Sequence, residues 1–177
     1  MGLDSYIFKT TKQGAMAKKK EILNAKDKDL QQGINFGDHT IFIYPRGEGR
    51  NNHIECLNPD VYWIKYNHIT AWVSEKVFGN TGGTMGKYIG VLTKQDLLAL
   101  REDCRKVIEH CVLPNGELNI DEAYCKEIFP SLDIEYSGSP LYDQYFIEEI
   151  LIAKTDIDRL LFTSNQPNIR FIFFAYF

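Results

Sequence analysis

The chain has 177 residues, 44% of them hydrophobic and 13% aromatic, with eleven Phe and ten Tyr; that is enough for one well-buried core and points to a single domain with a sheet in it. Its net charge of −4 and pI near 5.6 weigh against a protein whose main task is gripping duplex nucleic acid, because neutralising phosphates needs a basic face. No run approaches the roughly 18 apolar residues of a membrane span, and the N-terminus lacks the basic-then-apolar layout of a secretory signal, so no membrane partner is expected and the expected location is cytoplasmic.

In chain order, Leu3 to Phe8 reads as a first strand. The polar, Lys-rich stretch from Thr11 to Gly37 is expected to be the least ordered, with a short helix over about Ala17 to Leu30. Its Lys18-Lys19-Lys20 run is followed by alternating charges at Lys26-Asp27-Lys28-Asp29, which reads as a solvated face. Thr40 to Tyr44 is strand-like and stops at Pro45, and Arg46 to Asn52 has the composition of an exposed loop. Asn58 then offers a helix N-cap and Pro59 a first helical position, so a helix is expected over Tyr62 to Val77. Gly79 to Gly86 ends it and leads to a strand at Lys87 to Leu92.

Thr93, with Asp96 three residues on, starts the most clearly patterned helix, Lys94 to Val112, whose apolar Leu97, Leu100, Cys104, Val107 and Cys111 recur at intervals of three and four. A turn at Pro114-Asn115-Gly116 precedes a short helix over Ile120 to Phe129. A second turn, Ser137 to Pro140, precedes a long amphipathic helix from Leu141 to Phe162. The final strand, Ile169 to Phe177, is apolar on both faces, as a covered central strand would be. The fold class expected from this order is α+β, a mostly antiparallel sheet packed against several helices.

The four cysteines, Cys56, Cys104, Cys111 and Cys125, include no closely spaced pair, so reduced thiols are expected and no metal site. The glycine-rich stretch before Lys87 has the wrong spacing for a phosphate-binding loop, and a strand follows where a helix should begin. No cofactor fingerprint and no nucleophile elbow is present.

The site candidate is the aromatic and polar block from Asn58 to Trp72. On a helix it would place Lys65, His68, Trp72 and Glu75 along one stripe. His68 titrates near neutrality, which suits an acid, a base or a phosphate donor; the competing reading is a packed, hydrogen-bonded histidine. Asn67 faces elsewhere on such a helix, so one pocket uses both only if another element folds over them. The segment Tyr142-Asp143-Tyr145 is the candidate neighbour, its competing reading being a first helical turn in which Asp143 complements the helix dipole. Ligand-binding candidates are therefore Lys65, Asn67, His68, Trp72, Tyr142 and Asp143, with His68 the catalytic candidate should there be one.

The opening Met1-Gly2-Leu3-Asp4-Ser5-Tyr6 resembles a group of small uncharacterised phage and bacterial proteins that begin Met-Gly-Leu-Asp with an aromatic residue close by. That group carries a Trp-Arg-Lys-x-Asn-x-Ile-His-x-Trp helix, which Trp63, Lys65, Asn67, His68 and Trp72 resemble, with Ile64 replacing Arg and the Ile-His order not kept. Its Gly-Ser-x-x-Tyr-Asp-x-Tyr segment is matched by Gly138, Ser139, Tyr142, Asp143 and Tyr145, whereas its Asn-Cys near the middle strand is replaced here by Gly83 to Gly86. The resemblance implies a phage or prophage setting and a helix-plus-sheet fold, and carries over no reaction.

Together these readings favour binding over catalysis: a phage accessory protein acting against host defence by capturing a host protein or a small anionic, nucleotide-like ligand, with Arg46 and Arg50 as nearby cations. Homo-oligomerisation is left open. The alternative is a small hydrolase or phosphodiesterase using His68 with Lys65 and Asn67.

Overall fold

The computed structural model describes residues 3–15, 34–36, 39–44, 53–57, 59–79, 83–84, 87–132 and 138–176, with backbone alone at 34–36, 39–44, 53–57, 83–84, 87 and 176. The expected helix at 17–30, the loop at 46–52 with Arg46 and Arg50, and the Asn58 cap lie outside these residues.

The protein is α+β. Strands β1 (Asp4–Thr11), β2 (Ile34–Phe36), β3 (His39–Tyr44), β4 (His53–Leu57), β5 (Val61–Ile64), β6 (Gly83–Thr84), β7 (Lys87–Leu92) and β8 (Ile169–Tyr176) form a five-stranded sheet in the order β5-β1-β8-β7-β6 and a three-stranded sheet in the order β2-β3-β4. Every pairing among them is antiparallel. The helices that frame the core among the described residues are α1 (Asn67–Trp72), α2 (Lys94–Cys111), α3 (Glu122–Ile128) and α4 (Gln144–Phe162).

β8 lies between β1 and β7, which explains its continuous apolar run: Phe171 through Ala175 are all buried. The register Ile7↔Phe173↔Gly90 puts Ile7, Phe171, Phe173 and Ala175 on the face that meets the helices. Tyr6, Phe8, Ile89, Ile172 and Phe174 are buried on the opposite face, where the Tyr6 ring stacks on Tyr62 at 4.9 Å.

α2 and α4 form the helical layer. α2 buries Leu97, Leu100, Cys104, Val107 and Cys111, and its start is fixed by a reciprocal cap: Thr93 Oγ1 accepts from the Asp96 amide at 3.2 Å while Asp96 Oδ2 accepts from the Thr93 amide at 2.7 Å. α4 buries Phe146, Ile147, Ile150, Ala153, Ile157, Leu160 and Leu161, and begins where the Asp143 carboxylate accepts from the Phe146 amide at 3.1 Å.

The block from Asn58 to Val77 departs from expectation. In place of one helix over Tyr62 to Val77 it forms an edge strand, a left-handed turn at Lys65 (φ 62°), the six-residue α1, and a π-helical turn over Val73–Val77. Over Val61 to Ile64 burial alternates, Val61 and Trp63 in, Tyr62 and Ile64 out. That is a period of two; β-branched and aromatic residues suit a pleated surface, and β1 supplies hydrogen bonds through the pairing Asp4↔Ile64 to Ile7↔Val61. The π turn carries Phe78 across β7. A Cβ on Gly90 would lie 1.8 Å from Phe78 Cζ, so only glycine leaves room for that ring.

Candidate functional site

α1 is buried along its whole length, so the stripe of Lys65, His68, Trp72 and Glu75 does not form a surface. Lys65 and Glu75 are exposed, at either end of the buried helix.

Asn67 acts as a clamp. Its Nδ2 donates to the Leu132 carbonyl at 3.0 Å and its Oδ1 accepts from the Leu132 amide at 2.7 Å, which fixes the segment after α3 against the start of α1. Gly138 seats the next segment on the same turn. Its φ is 104°, and a Cβ there would come 2.2 Å from the Lys65 carbonyl oxygen, so glycine is required on both counts.

His68 sits under this covering at 1% exposure, its ring 4.7 Å from those of both Tyr142 and Phe146. The expected neighbour therefore does fold over it. Tyr142 is itself held, its hydroxyl donating to the Phe129 carbonyl at 2.7 Å. Among the described residues neither His68 ring nitrogen makes a well-formed hydrogen bond, the Pro140 carbonyl offering only a weak one. Burial drives its pKa down from 6.5 to about 4, against weaker opposing help from the Pro140 carbonyl and the Asp143 carboxylate. A neutral imidazole in an aromatic box is a poor general base, because the surroundings disfavour its taking up a proton.

Trp72, at 3% exposure, belongs to a different neighbourhood. Its Nε1 donates to Asp103 Oδ2 on α2 at 3.0 Å, and Lys76 donates to the same oxygen at 2.9 Å. Burial alone would raise the Asp103 carboxyl, but the bonds from Lys106, Trp72 and Lys76 together hold it below its ordinary value. Lys65, Asn67 and His68 thus do not converge as a proton-transfer set, since Asn67 uses both ends of its amide on Leu132 and Lys65 is outside the box.

Beside this buried cluster lies an arrangement the sequence reading missed. The Tyr66 ring, half-buried, stacks on Trp63 at 5.7 Å, and Trp63 Nε1 donates to Asp156 of α4 at 2.9 Å. Burial, then the Glu149 and Asp156 carboxylates, push the Tyr66 hydroxyl up to about 12. Glu149 has no hydrogen bond or ion pair among the described residues; burial, then Asp143, pushes its carboxyl up to about 7. Around it Tyr145 is 70% exposed, Ile152 51% and, just before the helix, Leu141 63%. Positions 145, 149, 152 and 156 share one side of α4, the recurrence of three and four that in this case marks an outer face.

Among the described residues no group of three or more His, Cys, Asp or Glu is placed to hold a metal ion, and no helix is long and apolar enough to cross a membrane. A cavity of 530 Å³ is lined, among these residues, by Thr11, Lys12, Gln13 and Asn168. It lies at the Thr11 end of β1, whereas the α1 turn meets the Leu3 end.

No family model, no curated protein and no solved structure matches this chain.

Proposed function

We propose that the chain is a phage- or prophage-encoded accessory protein that acts by binding a host protein, with the outer side of α4 as its binding face. The observation that carries this reading is the row Leu141, Tyr145 and Ile152, large apolar side chains left open to solvent beside Glu149, which has no ion pair among the described residues. Exposed aromatic and branched residues ringed by charge are the anatomy of a protein-binding face. The phage setting rests on the resemblance of the opening residues and of the Trp63 to Trp72 and Gly138 to Tyr145 segments.

The charge on this face selects the kind of partner. Glu148 is exposed and Glu149 has no ion pair among the described residues, while the cation on the same side, Arg159, is engaged by Asp156 at 3.0 Å and by the Asp60 carbonyl at 3.1 Å. A second copy would set like charges against each other. A basic amphipathic helix fits, its apolar stripe on Tyr145 and Ile152 and its lysines toward Glu148 and Glu149. A nucleotide-like ligand has less to hold, because His68 and Trp72 present no ring face to it.

The test is fluorescence anisotropy with a labelled 18-residue Leu/Lys amphipathic peptide, about five helical turns, and its Leu/Glu counterpart. The Lys peptide should bind, more weakly as salt rises, and a Tyr145→Asp, Ile152→Asp double variant of unchanged melting temperature should lose at least about tenfold in affinity, about 1.4 kcal/mol. Equal binding of both peptides, or no loss in the variant, would refute the assignment of the face.

A further inference from the structure

Cys111 closes α2 and Cys125 lies in α3. Both are buried and reduced, and their Sγ atoms stand 3.5 Å apart across 14 residues of chain. We propose that these two thiols are an oxidation site, forming an intrachain disulfide when the protein meets a peroxide. A disulfide bond is about 2.0 Å long, so the sulfurs must close by about 1.5 Å, a displacement within reach of side-chain rotation and a small shift of α3.

α3 is the element able to give. It is seven residues long and Cys125 is its one buried residue. It is further held by half-buried Tyr124 and Ile128 packed against the core, by the Tyr124 ring stacked on His110 at 4.0 Å, by a 3.4 Å contact between His110 and Asp121, and by Phe129 just beyond its end. In the closed structure burial, then Cys111, push the Cys125 thiol up to about 12, so it holds its proton and is inert. Lifting α3 restores an ordinary thiol, and the rate of oxidation follows that opening.

The step balances. Cys125 thiolate attacks one peroxide oxygen, the O–O bond breaks, and a sulfenic acid and, after proton uptake, one water result. Cys111 sulfur then attacks the sulfenic sulfur, its thiol proton joins the departing hydroxide, and a second water leaves. Two thiols and one hydrogen peroxide become one disulfide and two waters, with two electrons passing from sulfur to oxygen.

The product ties α3 to α2, and with it the Phe129 carbonyl that anchors Tyr142 and the Leu132 backbone that Asn67 clamps. Oxidation would therefore stiffen the covering over His68 from outside it.

The test uses the full chain with hydrogen peroxide, in buffer and in mild urea that frays α3. Free thiols should fall from four to two, and peptide mapping should find the Cys111 and Cys125 peptides joined, two hydrogens lighter than their sum. The oxidised protein should melt several degrees higher, reversibly with dithiothreitol. Cys125→Ala should keep three thiols under the same treatment, and the map of the wild-type chain decides the matter even if that variant folds poorly. The proposal is overturned if both thiols remain free after peroxide in urea, or if the bridges found join other pairs or separate molecules.

Discussion

Replacing His68 by Leu should change how stability depends on pH more than it changes stability itself. A histidine whose pKa falls from 6.5 unfolded to about 4 folded binds its proton in the unfolded chain first. Its contribution to stability is intact above pH 6.5 and is lost as pH falls toward 4. At about 1.4 kcal/mol for each pH unit between the two values, acidification should cost the wild type about 3 kcal/mol through this residue. Glu149 acts with the opposite sign: its folded pKa of about 7 lies above the ordinary 4.5, so its penalty is full above pH 7, fades as pH falls from 7 to 4.5 and is gone below that. That residue is partly solvated, so its effect is the smaller. Both proteins carry Glu149, so the difference between wild type and His68→Leu isolates the histidine. With no well-formed hydrogen bond at either ring nitrogen among the described residues, the substitution should cost little at pH 7, since an apolar side chain of similar size gives up only the weak contact with the Pro140 carbonyl. Urea unfolding followed by the fluorescence of Trp63 and Trp72 supplies the free energies. A wild-type-minus-variant difference that stays flat from pH 7 to 4 would refute the reasoning, because His68 would then titrate alike in both states.

Three further substitutions probe the scaffold. Gly90→Ala should displace the Phe78 ring and cost about 1 to 3 kcal/mol, part of which Phe78→Leu should restore; a change under about 0.5 kcal/mol would mean the ring does not sit where described. Asn67→Ala leaves the Leu132 amide and carbonyl unpaired and should cost about 1 to 3 kcal/mol, so a wild-type melting temperature would remove the clamp from the account. Leu100→Ala, in the middle of the α2 stripe, should cost about 2 to 5 kcal/mol by denaturant unfolding, and a negligible loss would take α2 out of the core.

The elements legible in the sequence are those whose pattern is long and whose ends carry a local signal. α2 has five apolar positions in step and a Thr93–Asp96 cap; α4 has Asp143 at its start; β8 has five successive buried residues because it is central. The Tyr62 to Val77 helix failed because Tyr62, Tyr66, Ile69 and Val73 are spaced as a helix while Val61 to Ile64 equally alternate as a strand. Four residues cannot decide between periods, and pairing with β1, a partner far off in sequence, decided it. The strand His53–Leu57 was not anticipated at all, and the positive φ of Lys65 has no glycine to announce it.

At the candidate site, the proximity of Tyr142 and Asp143 to His68 was legible from the chain, and the depth of burial was not. An aromatic-rich block reads the same whether its rings meet a ligand or one another, and what covers His68 comes from α4 and the segment before it. The role of Asn67 was hidden for the same reason: its partner is the backbone of Leu132, and a backbone leaves no mark in sequence. Tyr145 and Ile152 carried a usable signal, an i, i+7 pair on the polar side of an otherwise regular amphipathic helix.

The measurement that tests the central claim most directly is a ¹⁵N–¹H NMR titration of the protein with the Leu/Lys peptide. The account expects shift changes concentrated at the outer positions of α4, around 145, 148, 149 and 152, with the amides of Asn67 to Trp72 unmoved. Shifts concentrated at His68 and Tyr142, with α4's outer face silent, would contradict it and return the binding site to the buried box.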